Sequence, residues 1–404
     1  MNIATYRLSL CESEMQMKLR SVIVVLFAVS LCGCVPQKGP SFHPTIPIIS
    51  WGGVPADKAD TLFSLGKDCG FDIHLGLYRA QESALLAMDA AARAGMGIII
   101  NFPQIKDSTE KTVPLIRNHP ALVAYHIKDE PDTSDFAWLK ELSDKIYALD
   151  PNHPCYINLF PNWAWGPEEY AANIEAYADM MDVPFYSFDN YPITESEGAV
   201  SVRSDWYRNL EEFSAMARRH GKPFWAFALA TSHSIPEPPA FYPVPTLGQI
   251  RLQVFSNLLY GAQAIQYFTY AGVVDAATCT RKPEFDIIRQ VNLEIKAYSP
   301  VFLNCKVQNV WHAGEQIPAY TKPLDTMPHS KVKSLKISGV GAVVSLIENE
   351  GKTYLAVQNC DCLDSAVLDI EFSARVKRFT VTGEECFDGR PVTLEPGDVA
   401  VFRL

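Results

Sequence analysis

The constraint that does most to limit the fold is a rhythm of eight short apolar runs between residues 46 and 300, each long enough for one strand. The runs are Ile46–Trp51, Phe71–Tyr78, Met96–Phe102, Leu122–Lys128, Cys155–Phe160, Asp182–Asp189, Pro223–Ala230 and Ala264–Tyr270. Between them the apolar residues recur with a helical period, as in Gln81–Ala94, Ser134–Leu149, Trp206–His220 and Thr246–Tyr260. Gly70, Gly95, Gly221 and Gly261 each stand just before the next run, where a helix ends most easily. Continuous apolar strands alternating with amphipathic helices need a parallel sheet covered by helices. Eight such units over about 250 residues predict an α/β fold, the (β/α)8 TIM barrel, over residues 46–304. A doubly wound open sheet is the alternative, but no Gly-rich dinucleotide fingerprint follows the first run.

From about Cys305 the pattern changes to short alternating runs broken by turn residues, such as Ala342–Ile347, Thr353–Val357, Ala366–Ile370 and Val399–Phe402. Such alternation predicts an antiparallel β-sandwich domain over residues 305–404, with a loop over 313–335. Ahead of the barrel, Met17–Cys34 has a basic start, a short apolar run and small residues before a cysteine, the pattern of a secretory signal. The apolar run is too short to span a membrane comfortably. Its ending, Leu31-Cys32-Gly33-Cys34, resembles the lipobox of bacterial lipoproteins, which implies a lipid on Cys34, a membrane anchor and a place in the cell envelope. Residues 1–34 therefore read as the signal region, with 1–16 an over-extension of the reading frame, and the Pro-rich residues 35–45 as a tether.

The formal net charge of −11 makes nucleic acid an unlikely kind of partner. Carbohydrate suits an acidic, aromatic-rich chain better, because sugar faces stack on Trp and Tyr while sugar hydroxyls bond to carboxylates. Past Cys34 the cysteines are Cys69, Cys155, Cys279, Cys305, Cys360, Cys362 and Cys386, an odd number without C-x-x-C spacing, so no metal site and no cofactor is expected. Cys360-Asp361-Cys362 reads as a strand with two thiols on one face. No feature of the sequence sets an oligomeric state.

In a barrel of this kind the residues that close each strand line the site. Here they are Trp51, His74, Asn101, Asp129 with Glu130, Asn158, Asp189, His233 and Tyr270. The central stretch is Leu122–Asp132, an apolar strand running into two carboxylates and a proline that cannot continue a ladder. A carboxyl held there beside a second one has its pKa raised and suits a general acid, the role read for Glu130. The same Asp-Glu-Pro-Asp also has the composition of a cap for the helix beginning near Ser134. Trp163 and Trp165, beyond the fifth run, and Tyr191, Tyr267 and Tyr270 are candidate sugar platforms.

Asp129-Glu130-Pro131 after the fourth run, Asp189-Asn190-Tyr191-Pro192 after the sixth and Gln266–Tyr270 on the eighth resemble the barrel of clan A glycoside hydrolases. The likeness is to family 42-type and family 2-type β-glycosidases and to similar lipoproteins of gut Bacteroidetes. It implies an exported hydrolase of O-glycosidic bonds with Glu130 as acid/base. The sequence departs from the clan twice: Asp129 stands where the clan has Asn, and the seventh run, Phe224–His233, contains no carboxylate where the clan places its nucleophile. The nearest one is Glu237. Asp189 is therefore the expected second group, a general base in an inverting route, which tolerates carboxyls about 6.5–9.5 Å apart against about 5 Å for retention. Three alternatives stand beside it: Glu237 as the second carboxylate, a substrate-assisted route as in hexosaminidases with Asp129 orienting an acetamido group, and a catalytically inactive carbohydrate-binding lipoprotein that keeps the cleft.

Overall fold

The computed structural model describes residues 44–236 and 239–404. Each of the eight apolar runs contains a strand. Six come first: β1 (Ile48–Gly52), β2 (Ile73–Leu77), β3 (Gly97–Asn101), β4 (Leu122–Asp129), β5 (Cys155–Asn158) and β6 (Tyr186–Phe188). After β6 the chain makes a hairpin, β7 (Ile193–Ser196) and β8 (Ala199–Val202), before reaching β9 (Phe224–Leu229). A second hairpin, β10 (His233–Pro236) and β11 (Pro239–Tyr242), precedes β12 (Ala264–Phe268). The barrel strands pair in parallel in the order β5-β4-β3-β2-β1-β12-β9-β6. The ring closes between its ends where the Leu159 N–H donates to Ser187 O at 2.8 Å, with Leu159 bridging Phe188.

Apolar residues on both faces of each strand explain this shape. One set, including Ile48, Ile98, Ile100, Tyr125, Ile127, Ile157, Tyr186 and Tyr267, packs against the surrounding helices. The barrel interior holds Trp51, Tyr156, Phe185, Trp225 and Phe227, with Phe185 and Trp225 stacked at 3.7 Å. The helices end as the glycines foretell. After Gln81–Arg93, Gly95 takes φ 65°, and the Met96 N–H returns to Ala91 O, so the last carbonyls are satisfied by a turn that only glycine makes without strain. The two hairpins were not anticipated; they join into one antiparallel sheet of order β10-β11-β7-β8 built from the segments after β6 and β9.

Past β12 come a two-stranded hairpin, β13 (Val274–Asp275) with β14 (Thr280–Arg281), and the helix Phe285–Phe302. The sandwich follows: β15 (Lys306–Ala313), β16 (Val332–Ile337), β17 (Ala342–Asn349), β18 (Lys352–Asn359), β19 (Ala366–Phe372), β20 (Lys377–Thr380), β21 (Gly383–Cys386), β22 (Val392–Leu394) and β23 (Val399–Arg403). A six-stranded sheet, β15-β17-β18-β23-β20-β21, faces a three-stranded one, β16-β19-β22, across a core that includes Trp311, Leu355, Leu368, Leu394 and Phe402. The other face of the larger sheet belongs to the barrel's own core through Val343, Ile347, Ala356 and Val401. Polar side chains complete that seam. Ser345 Oγ donates to Leu259 O at 2.8 Å, and Asn349 Nδ2 to Leu303 O at 2.9 Å, each satisfying a carbonyl at or just past a helix C-terminus.

Two expectations need correction. The loop expected over 313–335 gives way to β16 at Val332, whose side chain enters the sandwich core. Cys360-Asp361-Cys362 is a turn rather than a strand, because Asp361 Oδ1 accepts the Leu363 N–H at 2.8 Å and diverts the backbone from β18. Its two thiols part company: Cys360 accepts the Tyr207 hydroxyl, and Cys362 is buried beside Ile193 and Leu252. The seven cysteines among the described residues are free. Cys34 and the whole signal region lie outside the described residues, among which no helix is long and apolar enough to cross a membrane.

Candidate active site

Strand β4 sets the site. Its residues up to Ile127 are buried, and a register shift against β5 between His126 and Lys128 brings Asp129 opposite Asn158. Beyond it, Pro131 ends the ladder and the acidic stretch divides its labour. Asp132 caps the next helical segment, accepting the Ser134 N–H at 2.7 Å, whereas Asp129 and Glu130 take no part in the cap. Glu130 has φ 47°, a left-handed conformation that costs a side-chain-bearing residue about 1–2 kcal/mol. It is held there by its N–H, which donates to Asn158 O at 2.8 Å. Strain retained at a strand end marks a place where the side chain's direction matters.

Asn158 is the keystone. It is buried, and its Nδ2 donates to Asp189 Oδ1 at 2.8 Å and to Asp129 Oδ1 at 3.3 Å, so one amide ties the ends of β4, β5 and β6 together. Behind it Ser187 Oγ meets Asn158 Oδ1 at 2.9 Å, and Tyr156 and Gln266 continue the network across the barrel floor. Burial pushes the Glu130 carboxyl up to about 7, with the Asp129 charge adding to it. Asp129 rises to about 6 by burial, opposed by the Asn158 hydrogen bond and the Lys128 charge. Solvent reaches Asp129 from the mouth, so desolvation weighs less on it than on Asp189, which is driven well above the carboxylate range by burial and by the Glu130 and Asp129 charges. Among the described residues no group of three or more His, Cys, Asp or Glu is arranged to hold a metal ion.

The floor and one wall are aromatic. Trp51 lies edge-on to His126 and Phe227 beneath the mouth. On the β6 side, Tyr191 meets His233 at 5.8 Å and Phe268 at 5.7 Å, while His233 stacks on its strand partner Tyr242 at 4.5 Å. Burial lowers the His233 pKa. Arg203 binds Asp205 with two nitrogens, reaches the Tyr242 hydroxyl at 3.4 Å and lies 5.4 Å from the Trp163 ring, tying half-buried Trp163 into this wall. Trp165 turns its edge to Phe160 instead.

Other strand-end candidates are occupied within the protein. His74 is wholly buried with Nδ1 on Ser50 Oγ and Nε2 on Gly52 O, and burial lowers it to about 4, which keeps it neutral. Asn101 donates to His126 O at 2.8 Å. Tyr267 packs on Phe71 in the helix-facing layer, and the Tyr270 hydroxyl binds Leu62 O. The side chain from this strand that joins the site network is Gln266. Glu237 lies outside the described residues. Sequence reasoning did not reach Ser187, Tyr156, Arg203 or Tyr242, and met Gln266 only as the start of the Gln266–Tyr270 motif. Period-two alternation pointed to Gln266, since a polar residue between Ile265 and Tyr267 in a buried strand needs a partner inside the barrel.

Residues 136–280 match the model of the Glyco_hydro_42 family, described as beta-galactosidase. No curated protein matches the chain. Among solved structures the chain is similar to a beta-glucosidase, with TM-score 0.41 and 10% identity over 59% of this chain and 87% of that one. It is also similar to a GH2 beta-galacturonidase from Eisenbergiella tayi bound to galacturonate, with TM-score 0.41 and 13% identity over 61% of this chain and 51% of that one. A third is an endoglucanase, with TM-score 0.41 and 14% identity over 60% and 97%. At such scores these likenesses carry no argument. The family match begins just past Glu130 and includes Asp189. From the helix behind Glu130 into the hairpin after β12, the chain is thus similar to family 42 beta-galactosidases, which supports a glycosidase built on the (β/α)8 barrel.

Proposed function

We propose that the protein hydrolyses O-glycosidic bonds of an oligosaccharide or polysaccharide, with Glu130 as general acid and Asp189 as general base. The observation that carries this reading is how hydrogen-bond donors are shared among three neighbouring carboxyls. Asn158 gives one N–H to Asp189 and one to Asp129, which favours charge on both. Among the described residues Glu130 receives no protein donor on its carboxyl, and it has the negative Asp129 beside it, so it keeps the proton. Burial is the main cause that raises Asp189; a neutral Glu130 removes the next one, and the Asn158 N–H and the Tyr191 hydroxyl remain to favour its charge, so that the cluster titrates as a unit. A neutral Glu130 protonates the leaving glycosidic oxygen. An ionised Asp189 takes the proton of a water attacking the anomeric carbon from the other face, and the product is inverted.

The test is a panel of aryl glycosides and oligosaccharides with product anomers followed by NMR. Inverted first products from the wild type, lost in Glu130→Gln, are expected; a first product of retained configuration would remove Asp189 from the base role. A second reading, a carbohydrate-binding protein without turnover, is favoured by the end of β9, where Leu229, Ala230, Thr231, Ser232 and His233 offer no carboxylate. Binding of an oligosaccharide with no product from any substrate would establish it. Export and lipid attachment at Cys34 belong to the same proposal. Mass spectrometry is expected to find an acyl chain on Cys34, and Cys34→Ala to release the protein from membranes.

A further inference from the structure

Under the carboxyls lies a set of buried polar side chains that the proposed chemistry has not used: Tyr156, Ser187 and Gln266, from β5, β6 and β12. Gln266 Nε2 donates to Ser187 Oγ at 2.8 Å, and the Tyr156 hydroxyl donates to Gln266 Oε1 at 2.7 Å. Ser187 Oγ lies 3.0 Å from the Tyr156 hydroxyl and 2.9 Å from Asn158 Oδ1. Tyr156 has spent its proton on Gln266, so the single Ser187 proton must choose. Turned to Tyr156, it closes a ring among the three side chains and leaves the Asn158 carbonyl without a donor. Turned to Asn158, it seats that carbonyl and leaves both amide N–H groups facing Asp129 and Asp189.

We propose that Ser187, Tyr156 and Gln266 are positioning residues: by seating the Asn158 carbonyl they keep its amide N–H groups turned to Asp129 and Asp189 and favour the charged form of these carboxyls against the burial that opposes it. The inference rests on the reading that these aspartates serve hydrolysis. The physical reason is that a charged carboxylate accepts only, so it needs the nitrogen end of the amide, whereas a protonated one can donate to the oxygen end. Without the Ser187 hydroxyl the amide loses its preference, and its N–H groups lose the polarisation that a donor on the carbonyl supplies. Protonation of the aspartates then becomes easier. The other groups that face them are Glu130, Lys128, Tyr156, Tyr170, Tyr191 and Tyr242, and Ser187→Ala alters none of these side chains.

The test compares kcat/KM against pH for the wild type, Ser187→Ala and Ser187→Thr. The acid-side limb, which reports the essential base of the free enzyme, is expected to move up by roughly one pH unit in Ser187→Ala, a loss of about tenfold below the limb, and to return in Ser187→Thr. A readout that needs no turnover accompanies it: titration of 13C-labelled aspartate carboxyls by NMR, in which Asp129 and Asp189 are expected to titrate higher in Ser187→Ala. Tyr156→Phe asks the same question should Ser187→Ala fail to fold, because it removes the competing acceptor of the Ser187 proton and adds no charge, so that Ser187 stays on Asn158 and the limb and the two carboxyls are expected to move down. An unmoved limb and unmoved carboxyls would overturn the inference. If Asp189→Asn abolishes activity while Ser187→Ala moves neither readout, the hydrolase reading stands and the inference falls. If no protein turns over any substrate, the hydrolase reading falls and the NMR titration alone decides the inference.

Discussion

From β4 to β6 the barrel mouth is crowded with polar groups, whereas from β9 to β12 it is apolar and aromatic. On the first side Asp129, Glu130 and Asp189 gather around Asn158. On the second the strands end in Leu229 and Phe268, backed by the stack of His233 on Tyr242. The difference teaches where chemistry can happen. A carboxyl serves as acid or base only where neighbours set its charge, and those neighbours are confined to the ends of three adjacent strands. Among the described residues the opposite wall offers aromatic and apolar faces and no carboxylate, which in the proposed hydrolase suits it to shaping a sugar ring.

The sharpest way to break this division is Glu130→Gln. Loss of a general acid is expected to lower kcat by roughly 10²–10⁴ on alkyl glycosides, with a smaller loss on aryl glycosides whose leaving groups need little help. Binding changes little, since the amide keeps the shape. Full activity on a natural glycan would end the assignment. Asp189→Asn comes next, with a fall on the order of 10² for both substrate classes because water must be activated in either case. A harmless Asp189→Asn would move the second role to Asp129 or to Glu237 and redraw the boundary between the two sides.

A milder test addresses Trp163, which follows β5 and meets the aromatic wall through Arg203. Trp163→Ala is expected to raise KM about tenfold, equivalent to about 1.4 kcal/mol, while leaving kcat nearly unchanged. A fall in kcat with KM unmoved would place Trp163 with the chemistry and blur the contrast. The smallest effect is on stability. Glu130 has its folded pKa raised from 4.5 to about 7, so the folded state binds its proton more tightly than the unfolded chain does. Its contribution is most favourable below pH 4.5 and is lost as pH rises through about 7. Glu130→Gln lacks this titration, and is expected to melt a few degrees above the wild type on the alkaline side, with the gap closing toward pH 4.5. Parallel melting curves across that range would mean that Glu130 ionises freely.

The sequence made the barrel legible because parallel strands buried on both faces leave unbroken apolar runs, and because glycines such as Gly95 and Gly221 mark the helix ends. Residues that project from strand ends, Asp129, Glu130, Asn158 and Asp189, were legible for the same reason. The support beneath them was not. Ser187 sits inside an aromatic run, Tyr156 looks like core filling, and Gln266 is flanked by larger neighbours, so each needs its partner from another strand to acquire a meaning. His74 shows the converse, a polar residue at a strand end whose two ring nitrogens are both consumed within the fold. The β7–β8 and β10–β11 sheet escaped notice because its strands are short, β10 and β11 carry prolines, and the two hairpins pair across a long stretch of chain.

Strand β23 lies between β18 and β20 in the larger sandwich sheet, and that sheet shares its core with barrel helices. Synthesis must therefore run through residue 403 before β18 and β20 acquire the neighbour that joins them. Until then the helices Leu247–Leu259 and Phe285–Phe302 present an apolar face with nothing complete to cover it. The nascent barrel has to be kept from aggregating until β23 has emerged, and a frameshift within β23 would reach the barrel helices through the core they share with its sheet.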